Sequence, residues 1–137
     1  MKAVKSVRFV MLIGVPSLFA CADVPTRIHE PGVVIEPATS EVARLRSVGF
    51  WTDRNGLTLR GEVLPASPGQ TLPGGHVDIA ITVADRSSTV CTTATMYQEN
   101  EHADNDFSHP FVSLPPRGSR VRVAYHATDI THDDCAN

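Results

Sequence analysis

The sequence lacks the long apolar run that a membrane-spanning helix requires. Such a helix needs about 20 consecutive apolar residues, whereas the longest apolar stretch, Phe9–Ala20, has twelve. This stretch follows the three basic residues Lys2, Lys5 and Arg8. A short apolar segment behind a basic start is typical of an export signal. We therefore predict that residues 1–20 form a signal peptide and are not a spanning helix.

Positive charge is also scarce, and no lysine follows Lys5. After residue 20, nine arginines stand against fifteen acidic residues. Proteins that bind nucleic acids need an excess of basic residues to neutralise the phosphates. We therefore expect no nucleic-acid partner.

Motifs of the common enzyme classes are missing from the sequence. It contains no G-x-S-x-G nucleophile elbow, no phosphate-binding Walker loop and no dinucleotide fingerprint. Serine, histidine and aspartate are present, but a catalytic triad is defined by geometry, which the sequence does not provide. We expect the protein not to be an enzyme.

Cys21 lies at the end of the predicted signal peptide, where two cleavage sites are open. The stretch Leu18-Phe19-Ala20-Cys21 resembles the bacterial lipobox, which is cut before a cysteine that carries lipid and becomes the new N-terminus. The stretch Ala20-Cys21-Ala22 also satisfies the A-x-A rule, and cleavage there would discard Cys21. We favour lipidation, because a chance cysteine at the junction is improbable in a chain with three cysteines.

The other two cysteines, Cys91 and Cys135, form an even pair under either cleavage. Exported proteins meet an oxidising environment, so such a pair predicts a disulfide bond. Closing this loop of about 45 residues should stabilise the fold by about 4 kcal/mol in the chain-entropy model. Two unpaired thiols or a cysteine-containing metal site are the alternatives.

The segment after the signal peptide, residues 21–40, contains three prolines and no apolar period. We interpret it as the lipidated cysteine followed by a disordered, semi-extended linker. Its last eighteen residues could reach about 55 Å in an extended polyproline conformation. Such a linker would hold a domain at residues 41–137 clear of the bilayer, although it is equally typical of an unstructured N-terminus.

Residues 41–137 carry the pattern of β-strands and no convincing helical period. Alternating apolar and polar residues predict strands over 57–63, 77–83 and 120–125, and weaker patterns predict strands over 42–51, 89–98 and 107–114. Pro110 favours an edge position for the last of these weaker strands, and Asn55-Gly56 indicates a hairpin.

Six or seven strands in one small domain favour an all-β fold, a small antiparallel β-sandwich, with a small barrel as the alternative. The loop 65–75 is long for a hairpin, so we expect it to cross between sheets. We expect Trp51 and Tyr125 to be core or core-edge residues.

Six histidines in 137 residues suggest a metal site. The densest group is at the C-terminus, where His126, Asp129 and His132 lie close together, and His76 could join them from another strand. Imidazoles and carboxylates suit zinc or copper when three or four of them converge. The spacing matches no established zinc motif, so a solvated polar tail is the alternative.

The sequence resembles a loose group of small bacterial envelope lipoproteins of uncharacterised function. The resemblance is carried by the lipobox at Cys21, the proline-rich spacer, Gly-Gly-His76-Val77, and Arg-Val-Arg-Val-Ala-Tyr-His126. It implies an immunoglobulin-like or fibronectin-like domain. The usual inter-sheet disulfide of immunoglobulin domains is not expected, because Trp51 precedes both cysteines and Cys135 follows the last strand.

From these features we expect a lipid-anchored protein of the cell envelope that serves as a binding or structural module. Its partners would be the membrane, through the lipid, and another envelope protein. The residue after the cysteine is Ala22, and the resemblance to proteobacterial lipoproteins would then imply sorting to the outer membrane. The alternative function is a periplasmic copper- or zinc-binding protein that uses the C-terminal histidine and aspartate residues.

Overall fold

The computed structural model describes residues 24–84, 89–97 and 105–127, and all regular elements in these ranges are β-strands. The strands are β1 (Thr26–Ile28), β2 (Val34–Pro37), β3 (Ala43–Asp53), β4 (Gly56–Pro65), β5 (Gly75–Thr82), β6 (Thr89–Tyr97), β7 (Asn105–Phe111) and β8 (Arg120–Ala127). They form one sheet in the order β1-β3-β4-β7-β6-β5-β8-β2. Neighbouring strands are antiparallel except for β2 and β8, which run parallel. This part of the chain contains no helix that could cross a membrane.

Strand β6 joins the two halves of the sheet. Its first part, Thr89–Ala94, pairs with β5, and its last part, Thr95–Tyr97, pairs with β7. Because one strand serves both halves, the strands form a single curled sheet, a half-barrel, in which β3 lies close to β2 and β8. The all-β, mostly antiparallel class is confirmed. The immunoglobulin-like sandwich is not confirmed.

The concave face of the curled sheet holds the core. Its fully buried members come from alternating positions of the strands, as the period of two requires. They include Leu59 and Val63 of β4, Val77 and Ile79 of β5, Phe107 of β7, and Val121 and Val123 of β8. The opposite, outer face carries the polar residues between them.

The six strands predicted within residues 41–137 are all present, but β7 is not at an edge. It pairs along its length with β4 and, over residues 106–108, with β6. Pro110 lies beyond the described pairing with β6, opposite Thr58 of β4. A proline is therefore tolerated here because this end of β7 has a described partner strand on one side only.

The predicted hairpin between β3 and β4 is present. Asp53 pairs with Gly56 across the turn, and Gly56 has a φ of 113°. Neither Arg54 nor Asn55 has a positive φ, so the turn is not of the type I′ that Asn-Gly favours. The Asp53 carboxylate instead accepts a hydrogen bond of 2.8 Å from the Asn55 N–H, which fixes the turn locally.

The expectation of a disordered linker was wrong for residues 24–40. Thr26–Ile28 pairs with β3 as one edge of the sheet, and Val34–Pro37 pairs with β8 as the other. Strands of three and four residues are too short to show a period of two. They are extended by pairing with distant strands, which the local sequence does not reveal.

The loop 65–75 connects β4 to β5, which are separated in the sheet by β7 and β6. It therefore crosses past two strands of one continuous sheet, and the predicted crossing between two separate sheets is not confirmed. Tyr125 is a core residue, 5% exposed, and its hydroxyl donates a hydrogen bond to the Pro73 carbonyl of this loop. Burial raises the pKa of Tyr125. Trp51 is not in the core, because Phe50 occupies the inward position and Trp51 is half-buried on the outer face.

Candidate functional site

The predicted site residues divide between described and undescribed parts of the chain. Cys21, Asp129, His132 and Cys135 lie outside the described residues, so lipidation, the disulfide and half of the predicted metal ligands stay predictions. The remaining three, His76, Cys91 and His126, lie on β5, β6 and β8. All three belong to the outer face of the sheet, in phase with one another.

The structure brings His76 and His126 together. They are directly opposite in the antiparallel pair of β5 and β8, and their rings stack with centroids 5.8 Å apart and planes 24° from parallel. The sequence suggested that His76 could join the C-terminal group from another strand. Their exact opposition depends on the register of two strands that are about 50 residues apart, which the sequence could not fix.

Asp78 completes this group, which we call the histidine cluster: His76, Asp78 and His126. Its Oδ1 lies 3.6 Å from His76 Nε2, and its Oδ2 lies 3.7 Å from His126 Nε2. Thr93 of β6 donates a hydrogen bond of 3.0 Å to Oδ1. Asp78 is only 8% exposed, so its carboxylate is held between the two imidazoles. Its position two residues after His76 was the signal that could have identified it.

Cys91 lies on the same face as the histidine cluster. It is opposite Ala80 of β5, and the neighbouring pair on that face is Asp78 with Thr93. Within the described ranges, no group of three or more histidine, cysteine or acidic side chains is arranged to hold a metal ion. The described residues therefore supply two adjacent imidazoles, and further ligands would have to come from elsewhere in the chain.

A second feature, a groove in the outer face of β3, β4 and β7, was not predicted from the sequence. Its volume is about 540 Å³, within the range of about 300–1,000 Å³ that is usual for ligand sites. We call it the bulge groove. Three consecutive cross-strand pairs of β4 and β7 line it: Arg60 with Ser108, Gly61 with Phe107, and Glu62 with Asp106. Ser47 and Trp51 of β3, and Pro25 just before β1, complete the lining.

A β-bulge in β3 shapes one side of the groove. The register with β4 shifts between Arg46 and Gly49, and Ser47 in this bulge has a φ of 56°. An L-residue in this left-handed region costs about 1–2 kcal/mol. Bulges and such strained residues are both common beside functional sites.

Four charged side chains in and beside the groove form two ion pairs. Arg46 Nε donates to Glu62 Oε2 at 2.6 Å, and Arg60 donates to Asp53 Oδ2 at 2.6 Å. Arg60 also donates to Thr58 Oγ1 at 2.7 Å. The bond from Arg60, with the one from the Asn55 N–H, holds the pKa of Asp53 below its usual value. Each pair holds its two side chains close together.

Trp51 forms the aromatic part of the groove. It is the only tryptophan in the chain, and the Arg27 guanidinium of β1 lies 6.0 Å from its ring centroid. Two adjacent aromatic residues cannot both face inward on one strand, so the pair Phe50-Trp51 signalled that one of them faces outward. The sequence did not show which one.

Comparison of the chain with protein-family models, with curated proteins and with solved structures found no match. The functional argument therefore depends on the residues and geometry of this chain.

Proposed function

We propose that this protein is an exported, lipid-anchored binding module of the cell envelope. The observation that carries the binding role is the bulge groove, which combines an aromatic side chain with fixed, paired charges. The anchor is supported by the predicted signal peptide and the lipobox at Cys21. The mature protein would have no nucleic-acid partner and no catalytic role.

The position of β1 sets how an anchored domain would lie on the membrane. Only residues 22–25 separate Cys21 from the start of β1 at Thr26, and the five steps from Cys21 to Thr26 span about 18 Å at most. The domain would therefore sit against the bilayer and not about 55 Å away from it. Because Pro25 lines the bulge groove, the groove would open close to the lipid surface.

Replacing Cys21 with Ser is expected to move the protein from the membrane to the soluble fraction. The change removes the sulfur that carries the diacylglyceryl group, and lipid chains supply about 0.8 kcal/mol of membrane affinity per buried methylene. The measurement is the distribution of the protein between membrane and soluble fractions of the host.

The variant Ala22→Ser is the matched control, because it introduces the same side chain one residue later and keeps Cys21. It should remain membrane-bound. A Cys21→Ser protein that stays with the membrane, or an unmodified protein that is already soluble, would contradict the anchor.

A second candidate function, zinc or copper binding, is favoured by the direct opposition of His76 and His126. A disulfide between Cys91 and Cys135 would return the chain to the face that carries both histidines, because Cys91 lies on that face. Asp129 and His132, between Ala127 and Cys135, would then be close enough in sequence to supply further ligands. Imidazole and carboxylate donors suit both metals.

This second candidate predicts stoichiometric binding of one Zn²⁺ or Cu²⁺ ion by the full chain. Replacing His76 or His126 with Ala should weaken the affinity by at least about tenfold, which is about 1.4 kcal/mol, and the double variant His126→Ala/His132→Ala should abolish binding. The measurement is isothermal titration calorimetry with each metal salt.

His109→Ala is the control for a general effect of histidine content, because His109 lies on β7 in the other half of the sheet. It should bind the metal as the unmodified protein does. Weak binding that is equal in all variants would contradict a metal site at the histidine cluster.

A further inference from the structure

We propose that the bulge groove binds carbohydrate. The proposal deepens the binding role proposed above and rests on it, but it does not depend on the lipid anchor. It specifies the chemical class of the ligand, an uncharged sugar chain or sugar headgroup, and the residues that would contact it.

The charge pattern of the groove argues against an ionic ligand. A phosphate site presents arginines toward the ligand, whereas Arg60 is engaged with Asp53 and Thr58. A site for a cation presents uncommitted carboxylates toward the ligand. Of the two carboxylates in the lining, Glu62 is engaged with Arg46, and Asp106 is engaged in an interaction of its own. With both signs present and paired inside the protein, the groove has no strong preference for a charged partner.

The same pairs suit a neutral ligand with many hydroxyl groups. A carboxylate that already accepts one hydrogen bond from a guanidinium keeps further acceptor sites, and a guanidinium keeps further donors. Because Arg46, Glu62, Asp53 and Arg60 hold each other in place, little side-chain freedom would be lost when hydroxyl groups bind to them. Ser108, opposite Arg60 in the floor, adds a hydroxyl that both donates and accepts.

Trp51 supplies the apolar part of the recognition. A pyranose ring has faces of C–H groups as well as its hydroxyls, and a large, flat aromatic side chain offers those faces a surface to bury. Trp51 is half-buried on an otherwise polar face of the sheet, beside the fixed charges. An aromatic surface next to paired, hydrogen-bonding charges is a combination that fits sugars better than a purely apolar or a purely ionic ligand.

The strained bulge is an independent reason to regard the groove as a functional site. Ser47 has a positive φ in the wall of the groove. Regular pairing of β3 with β4, without a bulge, would avoid the energetic cost of this conformation. Beside the bulge, the Arg27 side chain crosses Gly49 and donates to the Val48 carbonyl at 3.0 Å. A Cβ on Gly49 would lie 2.8 Å from Arg27 Nε, so Gly49 lets the Arg27 side chain pass this close to the backbone.

The test uses the intrinsic fluorescence of the soluble Cys21→Ser chain, in which Trp51 is the sole tryptophan. The soluble probes are the β-1,4 tetrasaccharides of N-acetylglucosamine and of glucose, and the α-1,4 tetrasaccharide of glucose. A second arm uses phosphatidylethanolamine/phosphatidylglycerol vesicles with and without galactosyl-diacylglycerol. Saturation by a tetrasaccharide identifies a free glycan as the ligand class, and saturation only by the galactolipid vesicles identifies a sugar headgroup.

Three variants show whether the sugar binds in the groove. Glu62→Gln should weaken binding by about tenfold or more, which is about 1.4 kcal/mol, whereas Glu36→Gln, the same change on β2 at the far edge of the sheet, should bind like the parent chain. Trp51→Ala, followed by calorimetry instead of fluorescence, should lose binding. Affinity should change by less than about twofold between about 50 and 500 mM salt, because screening weakens ionic contacts far more than neutral ones.

The absence of a saturable response to all of these sugars would overturn the proposal, and so would binding that Trp51→Ala retains. Either result leaves the anchor untouched, because the distribution of the Cys21→Ser chain is measured separately. Conversely, sugar binding by the Cys21→Ser chain, combined with an unmodified protein that carries no lipid when isolated from its host, would overturn the anchor and keep the carbohydrate site.

Discussion

Replacing Phe107 with Ala is expected to lower the free energy of unfolding by about 3–5 kcal/mol. Phe107 is 1% exposed in the core, and its ring occupies the space beside Gly61, where a Cβ would lie 2.6 Å from Cε1. Truncation would leave a cavity that the two paired strands cannot close by a small shift. The measurement is urea denaturation followed by circular dichroism, with the midpoint lowered and the slope unchanged.

Val112→Ala is the control, since Val112 follows the same strand and its side chain is fully exposed, at 106% of the reference area. We expect its unfolding free energy to change by no more than about 0.5 kcal/mol. A domain of this size has about 5–15 kcal/mol of stability in total. A loss below about 1 kcal/mol for Phe107→Ala would therefore contradict the placement of Phe107 in the core.

Loss of the predicted disulfide is expected to have an effect of similar size. Reduction, or the double change Cys91→Ala/Cys135→Ala, should lower the unfolding free energy by about 4 kcal/mol, because the loop of about 45 residues is no longer closed in the unfolded chain. The measurement is urea denaturation with and without dithiothreitol, paired with a mass measurement of the two hydrogens gained on reduction.

The double alanine variant serves as the control for the reductant. Dithiothreitol should leave its unfolding midpoint unchanged while lowering that of the unmodified protein. Equal midpoints for the oxidised and reduced protein, or free thiols in the protein from its host, would contradict the disulfide.

The fold could be predicted where the sequence carries a local period. The alternation at residues 57–63, 77–83 and 120–125 is strong because one face of each strand is buried and the other is polar, and β4, β5 and β8 lie there. The edge strands β1 and β2 were missed, since three or four residues show no period and are held by distant partners. Their pairing also showed that residues 24–40 belong to the folded domain.

The continuous sheet could not be predicted because it depends on β6 changing partners partway along its length. The pattern of Thr89–Tyr97 is the same whether one strand or two neighbours it. A sandwich and a half-barrel therefore share the same strand count and the same alternation, and only the pairing distinguishes them.

For the candidate sites too, the sequence indicated only what depends on local pattern, and it missed what depends on pairing between distant strands. The sequence suggested that His76 could join His126 from another strand, but their direct opposition comes from the β5–β8 register. The bulge groove was missed entirely, because it is assembled from residues of four chain segments and shaped by a register shift in β3. Trp51 was expected in the core or at its edge on its chemistry alone, whereas its neighbour Phe50 occupies the inward position and Trp51 is half-buried on the outer face.

The measurement that tests the central claim most directly is native mass spectrometry of the protein extracted in mild detergent from its host's membranes. We predict a mass that starts at Cys21, carries a diacylglyceryl group and an acyl chain, and lacks two hydrogens. This result would establish a lipid-anchored protein with the predicted disulfide. A mass that starts at Asp23 without lipid would contradict it.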